Sequence, residues 1–164
     1  MTLHSIPTAQ LLVNVSVIPN DPQVPKGAKF AAAEILYPGP LNGSTDNFVY
    51  VSNRNIGAPD QRGDPIAIFQ HTAGSQDGTA PATLRPKFRR ANEDLTLVVQ
   101  VFTGLQQIRS MAFSDDGVYL VAGGSKDGGG AGGVKVFQRI NGGKGLQEVA
   151  KNTDIDTRTG FVWV

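Results

Sequence analysis

Residues 104–139 contain the feature that most limits the possible fold, because short apolar segments are separated here by turn-forming residues. The apolar segments are Ile108–Ser114, Val118–Gly123 and Val134–Arg139. Aspartate and glycine tolerate positive φ, so Asp115–Gly117 predicts a hairpin between the first two segments. A glycine-rich loop at residues 128–133 precedes the third segment, and Gly145–Ala150 offers a fourth. Four consecutive antiparallel strands would form one β-meander.

The same pattern recurs upstream. Four further strands are predicted at Phe30–Leu36, Phe48–Asn53, Ile66–Gln70 and Leu95–Phe102. Val49–Val51 matches Val118–Leu120 at a spacing of 69, and Ile66–Gln70 matches Val134–Gln138 at a spacing of 68. A repeating unit of one four-stranded sheet is typical of a β-propeller.

The chain is therefore predicted to be all-β, a partial β-propeller with about two complete four-stranded antiparallel blades plus flanking strands. A single strand is expected at Leu11–Ile18 and another at Gly160–Val164. Blades usually have about 40 to 50 residues, so the polar segments 55–64 and 72–94 are predicted to hold the excess as loops. The predicted boundaries are residues 1–26 for the end of a preceding blade, 27–103 and 104–153 for the two blades, and 154–164 for the start of a further blade or a closing strand.

Composition fits this class and excludes several others. The chain has 164 residues, of which 40% are hydrophobic, so it can bury a core. The net charge is +1 and the only basic cluster, Arg85–Arg90, is interpreted as a solvated loop, so no nucleic-acid partner is expected. No segment approaches about 18 apolar residues, so no membrane span is predicted. The segment after Met1 lacks the features of a signal peptide, so a cytoplasmic location is the default and secretion stays open.

Several types of site are not indicated. The absence of cysteine excludes disulfides, thiolate metal sites and a cysteine nucleophile. The glycines of residues 128–133 satisfy a GxGxxG pattern, but a predicted strand follows them where a phosphate site would need a helix. His4 and His71 are predicted to lie in loops without ligand spacing around them. Neither a metal nor a cofactor is therefore expected.

Six segments in consistent order resemble the lactonase propellers, a seven-bladed family that includes bacterial-type 6-phosphogluconolactonase and fungal carboxy-cis,cis-muconate cyclase. The segments are AAAEI, FVYVSNRN, DPIAIF, GLQQIRSMAFSDDGVYLVAGG, GGVKVFQR and RTGFVWV. The resemblance runs from about Gly27 to the end, is closest to the fungal members, and covers only the carboxy-terminal part of such a propeller. The turn after Leu36 and the segment 72–94 are longer than the family pattern. The resemblance implies a small anionic lactone or muconate-type substrate.

The candidate catalytic residues are Glu34 and Arg109, which are predicted to lie at nearly the same level on adjacent inner strands. Opening a lactone needs a base for water and a cation for the developing oxyanion, and the family resemblance implies the same glutamate and arginine. Arg54 is a candidate for binding an anionic substrate. Structural interpretations stay open for all three residues. Glu34 could be a solvent-facing strand residue, Arg109 its ion-pair partner, and Arg54 a turn residue.

Three hypotheses about function follow. The chain is a lactonase or cycloisomerase segment, a non-catalytic binding module derived from that fold, or a truncated product without independent function. Two and a half blades would leave apolar sheet faces and strand edges open. The sequence therefore predicts aggregation, association into a homo-oligomer or completion by missing blades of the same propeller.

Overall fold

The structure is all-β and consists of two four-stranded antiparallel sheets, each with its strands in chain order. It is a computed structural model that describes residues 13–41, 43–72, 94–125, 132–155 and 160–163. The first sheet contains β1 (Phe30–Leu36), β2 (Asn47–Asn55), β3 (Pro65–Thr72) and β4 (Asp94–Phe102). The second contains β5 (Ser110–Phe113), β6 (Tyr119–Gly124), β7 (Gly133–Ile140) and β8 (Gly145–Asn152). All eight strands of the two predicted sheets are thus confirmed.

Turn chemistry explains where these strands end. In the predicted hairpin between β5 and β6, Gly117 has a φ of 66°. The Asp116 carboxylate accepts the Val118 N–H at 2.9 Å and the Ser114 hydroxyl at 2.6 Å. The aspartate side chain and the left-handed glycine close the turn without help from the rest of the chain, which is why the sequence alone predicts it.

The strand register of the two sheets differs by two residues from the sequence match between the repeats. Tyr50 lies opposite Ile68 in the first sheet, so spacings of 69 and 68 would place Tyr119 opposite Val136. Tyr119 instead lies opposite Gln138. Because side chains alternate with a period of two, a shift of two residues keeps every side chain on the predicted face. The hydrophobic pattern therefore could not reveal the difference.

The main core lies between the two sheets. One face of the first sheet packs against the facing side of the second and against the linker that joins β4 to β5. Its buried members are Phe48, Tyr50, Ile66, Ile68, Leu105, Ile108, Met111, Leu120, Ala122, Phe137 and Leu146. Tyr50 is fully buried, whereas Tyr119 is 38% exposed. Tyr119 alternates with the buried Leu120, so it lies on the face of the second sheet that is turned away from the first.

The opposite face of the first sheet is covered by the amino-terminal segment. Val15 and Val17 pack against a second apolar cluster that contains Val51, Ala67 and Phe69. The predicted strand of residues 11–18 is wrong over its described part, because residues 13–18 form no strand. The Val17 carbonyl accepts hydrogen bonds from the side chains of Asn53, at 2.5 Å, and Gln100, at 2.8 Å. Side-chain amides thus bind this segment where a backbone ladder was expected.

The strand predicted near the carboxy terminus is also absent from the residues described there, since residues 160–163 have no strand conformation. The Trp163 indole N–H instead donates to the Ala112 carbonyl of β5 at 3.3 Å. The predicted loop of residues 55–64 is confirmed from residue 56 onwards, because β2 extends to Asn55. Almost all of the predicted loop 72–94, including Arg85–Arg90, lies outside the described residues.

Candidate functional site

Glu34 occupies an irregular position in β1. The register between β1 and β2 shifts between Ala32 and Ile35, so Glu34 lies in a β-bulge. Its backbone N–H donates to the Ser52 hydroxyl at 3.0 Å, and its side chain is half-buried. Glu34 alternates with Leu36, which packs against the core between the sheets. Bulges are frequent next to active sites because they redirect a side chain.

Arg109 lies one residue before β5, the strand of the second sheet that lies against β1. It is exposed, and it has the same alternation as Met111 and Phe113, which contact the core between the sheets. Glu34 therefore lies in β1, and Arg109 lies at the start of the neighbouring strand, one residue outside it. Within the described residues, no hydrogen bond or ion pair joins them. The ion-pair reading of Arg109 is thus not supported by the geometry.

Arg54 lies within β2, opposite Ala31 of β1, so its interpretation as a turn residue is wrong. Within the described residues, the Arg54 guanidinium makes no hydrogen bond. Its Nε atom is buried and has no partner there. The Nε–H of Arg54 is thus a buried donor without an acceptor, in contrast to the guanidinium of Arg62, which binds both Asp60 and Asp21.

Asp64 is a buried acid next to these residues that sequence analysis did not single out. It immediately precedes β3, and only 2% of its surface is exposed. The Ile108 N–H donates to its carboxylate at 3.2 Å, and the backbone N–H groups of Asn55 and Gln107 also act on it. Burial raises the pKa of Asp64 to about 6, although these hydrogen bonds and the positive charge of Arg54 oppose the rise.

No signal in the sequence identifies Asp64. The tripeptide Gly63–Pro65 predicts a turn before an apolar strand. Its burial depends on the linker of residues 103–109, which follows about 40 residues later in the chain. The Asp64 N–H donates to the Leu105 carbonyl at 2.6 Å, and the Thr103 hydroxyl donates to the Asp64 carbonyl at 2.8 Å. These contacts enclose the aspartate.

The raised pKa of Asp64 predicts a pH-dependent stability. Because the folded protein holds this proton up to about pH 6 and the unfolded chain releases it near pH 3.8, folding binds a proton in that window. The free energy of unfolding should therefore fall as the pH rises from about 4 to about 6, by about 3 kcal/mol for this group. Urea unfolding at several pH values, compared between the wild type and Asp64→Asn, measures this contribution.

The comparison with the variant is needed because the pKa values of Asp21, Asp60 and Asp116 are lowered by their hydrogen bonds. These groups contribute stability that is lost as the pH falls below about 4, which is the opposite slope. The difference in stability between the variant and the wild type isolates Asp64. An identical pH slope in both proteins would contradict the assignment.

The remaining features considered in the sequence are the two histidines and the glycine-rich run. His71 lies in β3, so its prediction as a loop residue is wrong, and its ring meets Tyr37 edge to face at 6.5 Å. His4 and most of the glycine-rich run 128–133 lie outside the described residues. Within the ranges that the structure describes, no group of three or more His, Asp or Glu residues could hold a metal ion.

No helix with the length and apolar character of a membrane span occurs among the described residues. Comparisons of the chain with protein-family models, curated proteins and solved structures find no match.

Proposed function

We propose that this chain contributes two neighbouring blades to a propeller that opens or forms the ring of a small anionic lactone. The observation that carries the proposal is that Glu34 lies in β1 and Arg109 directly before the neighbouring strand β5, without a hydrogen bond or an ion pair between them. A carboxylate and a guanidinium that do not neutralise each other are available to a substrate placed between them. The resemblance to lactonase propellers supports the same pair.

The chemistry assigns one role to each side chain. In the opening direction, Glu34 accepts a proton from water while the water oxygen attacks the lactone carbonyl carbon. Arg109 stabilises the oxyanion that develops on the carbonyl oxygen. The bond from the carbonyl carbon to the ring oxygen then breaks, and the proton on Glu34 passes to the leaving alkoxide. Ring formation is the same path in reverse.

Arg54 is proposed to bind the anionic group of the substrate. Arg54 lies on β2, directly beside β1, and its Nε–H has no acceptor within the described residues. A phosphate or carboxylate accepts paired N–H bonds from a guanidinium, whereas a neutral sugar lactone does not. The proposal therefore predicts preference for a phosphorylated or carboxylated lactone over the uncharged analogue.

A central channel requires more than two sheets, since propellers close with about four to eight blades. The outward face of the second sheet, where Tyr119 is exposed, is the surface that a neighbouring blade would cover. We propose that further blades, from copies of this chain or from additional sequence, complete the channel around Glu34 and Arg109.

The test uses Glu34→Gln in a hydrolysis assay with 6-phosphogluconolactone. We expect the variant to lose at least about 100-fold in kcat, because the amide cannot accept the proton of the attacking water. Proton release is followed above the spontaneous rate of ring opening, on the same chromatographic peak whose mass is measured by light scattering. Glu148→Gln is the matched control, because Glu148 lies on the outer strand β8 in an ion pair with Lys135. Unchanged turnover in Glu34→Gln would overturn the mechanism.

A non-catalytic module that binds a second copy of the chain is the other candidate function. The observation that favours it is the exposed edge strand β4, on which Leu97 is 44% exposed and Val98 and Val99 are each 36% exposed. Asp94 is the only charged residue of β4, so two such edges would meet without repulsion along most of their length. In this case the mass measured by light scattering would exceed 17.4 kDa, stay unchanged in Glu34→Gln, and accompany no lactone hydrolysis.

A further inference from the structure

We propose that Asp64 is a positioning residue for Arg109. Its buried carboxylate binds the linker of residues 103–109. It thereby fixes the start of β5 and the position of the Arg109 backbone. The inference rests on the proposed function, because it matters for catalysis only if Arg109 contacts the substrate. The contacts of Asp64 are independent of that function.

The carboxylate joins three separate segments of the chain. Asp64 itself directly precedes β3. Its Oδ2 atom accepts the Ile108 N–H, and its carboxylate also accepts the N–H of Asn55 at the end of β2. Ile108 directly precedes Arg109 and is itself fully buried in the core between the sheets. The backbone N–H of the residue directly before Arg109 is therefore hydrogen-bonded to Asp64.

The linker has a backbone conformation that needs such support. Gln107 has a φ of 56°, which is unfavourable for a residue other than glycine. Its side-chain amide donates to the Asn55 carbonyl at 2.5 Å, which ties it to the same strand end that acts on Asp64. A strained residue persists where its surroundings hold it. Here the Gln107 side chain binds the Asn55 carbonyl, and the Gln107 backbone N–H acts on the Asp64 carboxylate.

Charge pairing does not explain why an acid is buried at this position. Arg54 is the charged side chain whose field acts on Asp64, and no ion pair joins the two. The nearby Asp60 and Arg62 bind each other, and Lys135 binds the Thr103 carbonyl and Glu148. A buried carboxylate without an ion pair is costly unless it accepts hydrogen bonds. What Asp64 supplies is thus an acceptor for the backbone N–H groups of the linker.

A double-mutant cycle with 6-phosphogluconolactone tests the inference. Asp64→Asn should lower kcat/KM by about 10- to 100-fold, because the asparagine amide turns a donor towards the linker and displaces Arg109. In an Arg109→Ala background, Asp64→Asn should cause no further loss. Additive losses in the double variant would show that Asp64 acts independently of Arg109, and would overturn the proposal while leaving the proposed function intact.

Gln107→Asn provides a second route to the same result if Asp64→Asn does not fold. Asparagine tolerates the positive φ of this position, but its shorter side chain cannot reach the Asn55 carbonyl. The variant leaves the buried carboxylate untouched and should also be non-additive with Arg109→Ala. Full activity in Gln107→Asn, or a loss that adds to the loss caused by Arg109→Ala, would overturn the role of the linker.

Amide hydrogen exchange gives a readout that does not depend on turnover. Asp64→Asn should accelerate exchange at Ile108 by about tenfold relative to the amides of β6. In the wild type, local opening of the linker must break the hydrogen bond from Ile108 to the carboxylate, and in the variant this cost is absent. If the wild type has no lactonase activity, this local acceleration still supports the positioning of the linker, although the proposed function fails. A uniform acceleration over both sheets would mean that Asp64 acts on global stability alone, and would overturn the inference.

Discussion

Replacing Arg139 by methionine is expected to lower the free energy of unfolding by about 3 kcal/mol, because several buried acceptors would lose their donor. Arg139 lies on β7 and is only 4% exposed. Its guanidinium donates to the Tyr50 hydroxyl at 2.8 Å, to the Gly117 carbonyl at 2.9 Å and to the Gly39 carbonyl at 3.2 Å. Tyr50 lies in β2 and Gly39 in the loop between β1 and β2, so Arg139 joins β7 of the second sheet to the first, and the substitution weakens the association of the two sheets.

The environment of Arg139 is unusual because its bonded partners are all neutral. Its guanidinium carbon lies 5.3 Å from the ring centre of Tyr50 and 5.6 Å from that of Phe113. Aromatic faces partly replace the water that a buried cation loses. The Tyr50 hydroxyl in turn donates to the Gly143 carbonyl at 2.5 Å, which extends the network to the turn before β8.

Urea unfolding of Arg139→Met measures the change, with the slope against denaturant concentration checked for constancy. Lys144→Met is the control, because Lys144 is exposed and its nitrogen lies 3.9 Å from the Asp46 carboxylate. An exposed pair of this kind contributes about 0.5 kcal/mol or less. Equal stability of Arg139→Met and the wild type would mean that the cost of burying the guanidinium cancels its hydrogen bonds, which would refute the assigned role.

Gly63→Ala is expected to destabilise the fold by about 3 kcal/mol or more. Gly63 has a φ of 82°, which costs an alanine about 1 to 2 kcal/mol. An added Cβ would also lie 2.6 Å from backbone atoms of Gly104, a separation that real Cβ atoms do not adopt. Since the Gly104 N–H donates to the Arg62 carbonyl at 2.8 Å, the linker and the loop before Asp64 would be forced apart.

Gly43→Ala separates the two contributions. Gly43 has a φ of 79°, almost the same as Gly63, but an added Cβ there meets no atom within 4 Å. We expect Gly43→Ala to cost only the conformational energy of about 1 to 2 kcal/mol. The difference in unfolding free energy between the two alanine variants then measures the close approach to Gly104. Equal losses at the two positions would show that the linker moves freely away from Gly63.

Part of the candidate site could be predicted because its determinants are local. The AAAEI and QQIRS segments predicted that Glu34 and Arg109 start adjacent strands, and β1 does contain Glu34, whereas β5 begins one residue after Arg109. Their catalytic roles stay a prediction, because side-chain type and strand position do not establish contact with a substrate. Arg54 could not be placed correctly, since the end of β2 depends on pairing with β1 and not on a turn residue in the sequence.

The sequence by itself determined the eight strands and their antiparallel order within each sheet. These properties follow from a period of two and from Asp, Asn and Gly at the turns, which act over a few residues. Only the tertiary structure decided which faces are covered, how the amino-terminal segment binds, and that Asp64 and Arg139 are buried. Asp64 meets Ile108 across 44 positions and Arg139 meets Tyr50 across 89. Burial and hydrogen bonding at such separations depend on the packing of the two sheets, which no local pattern encodes.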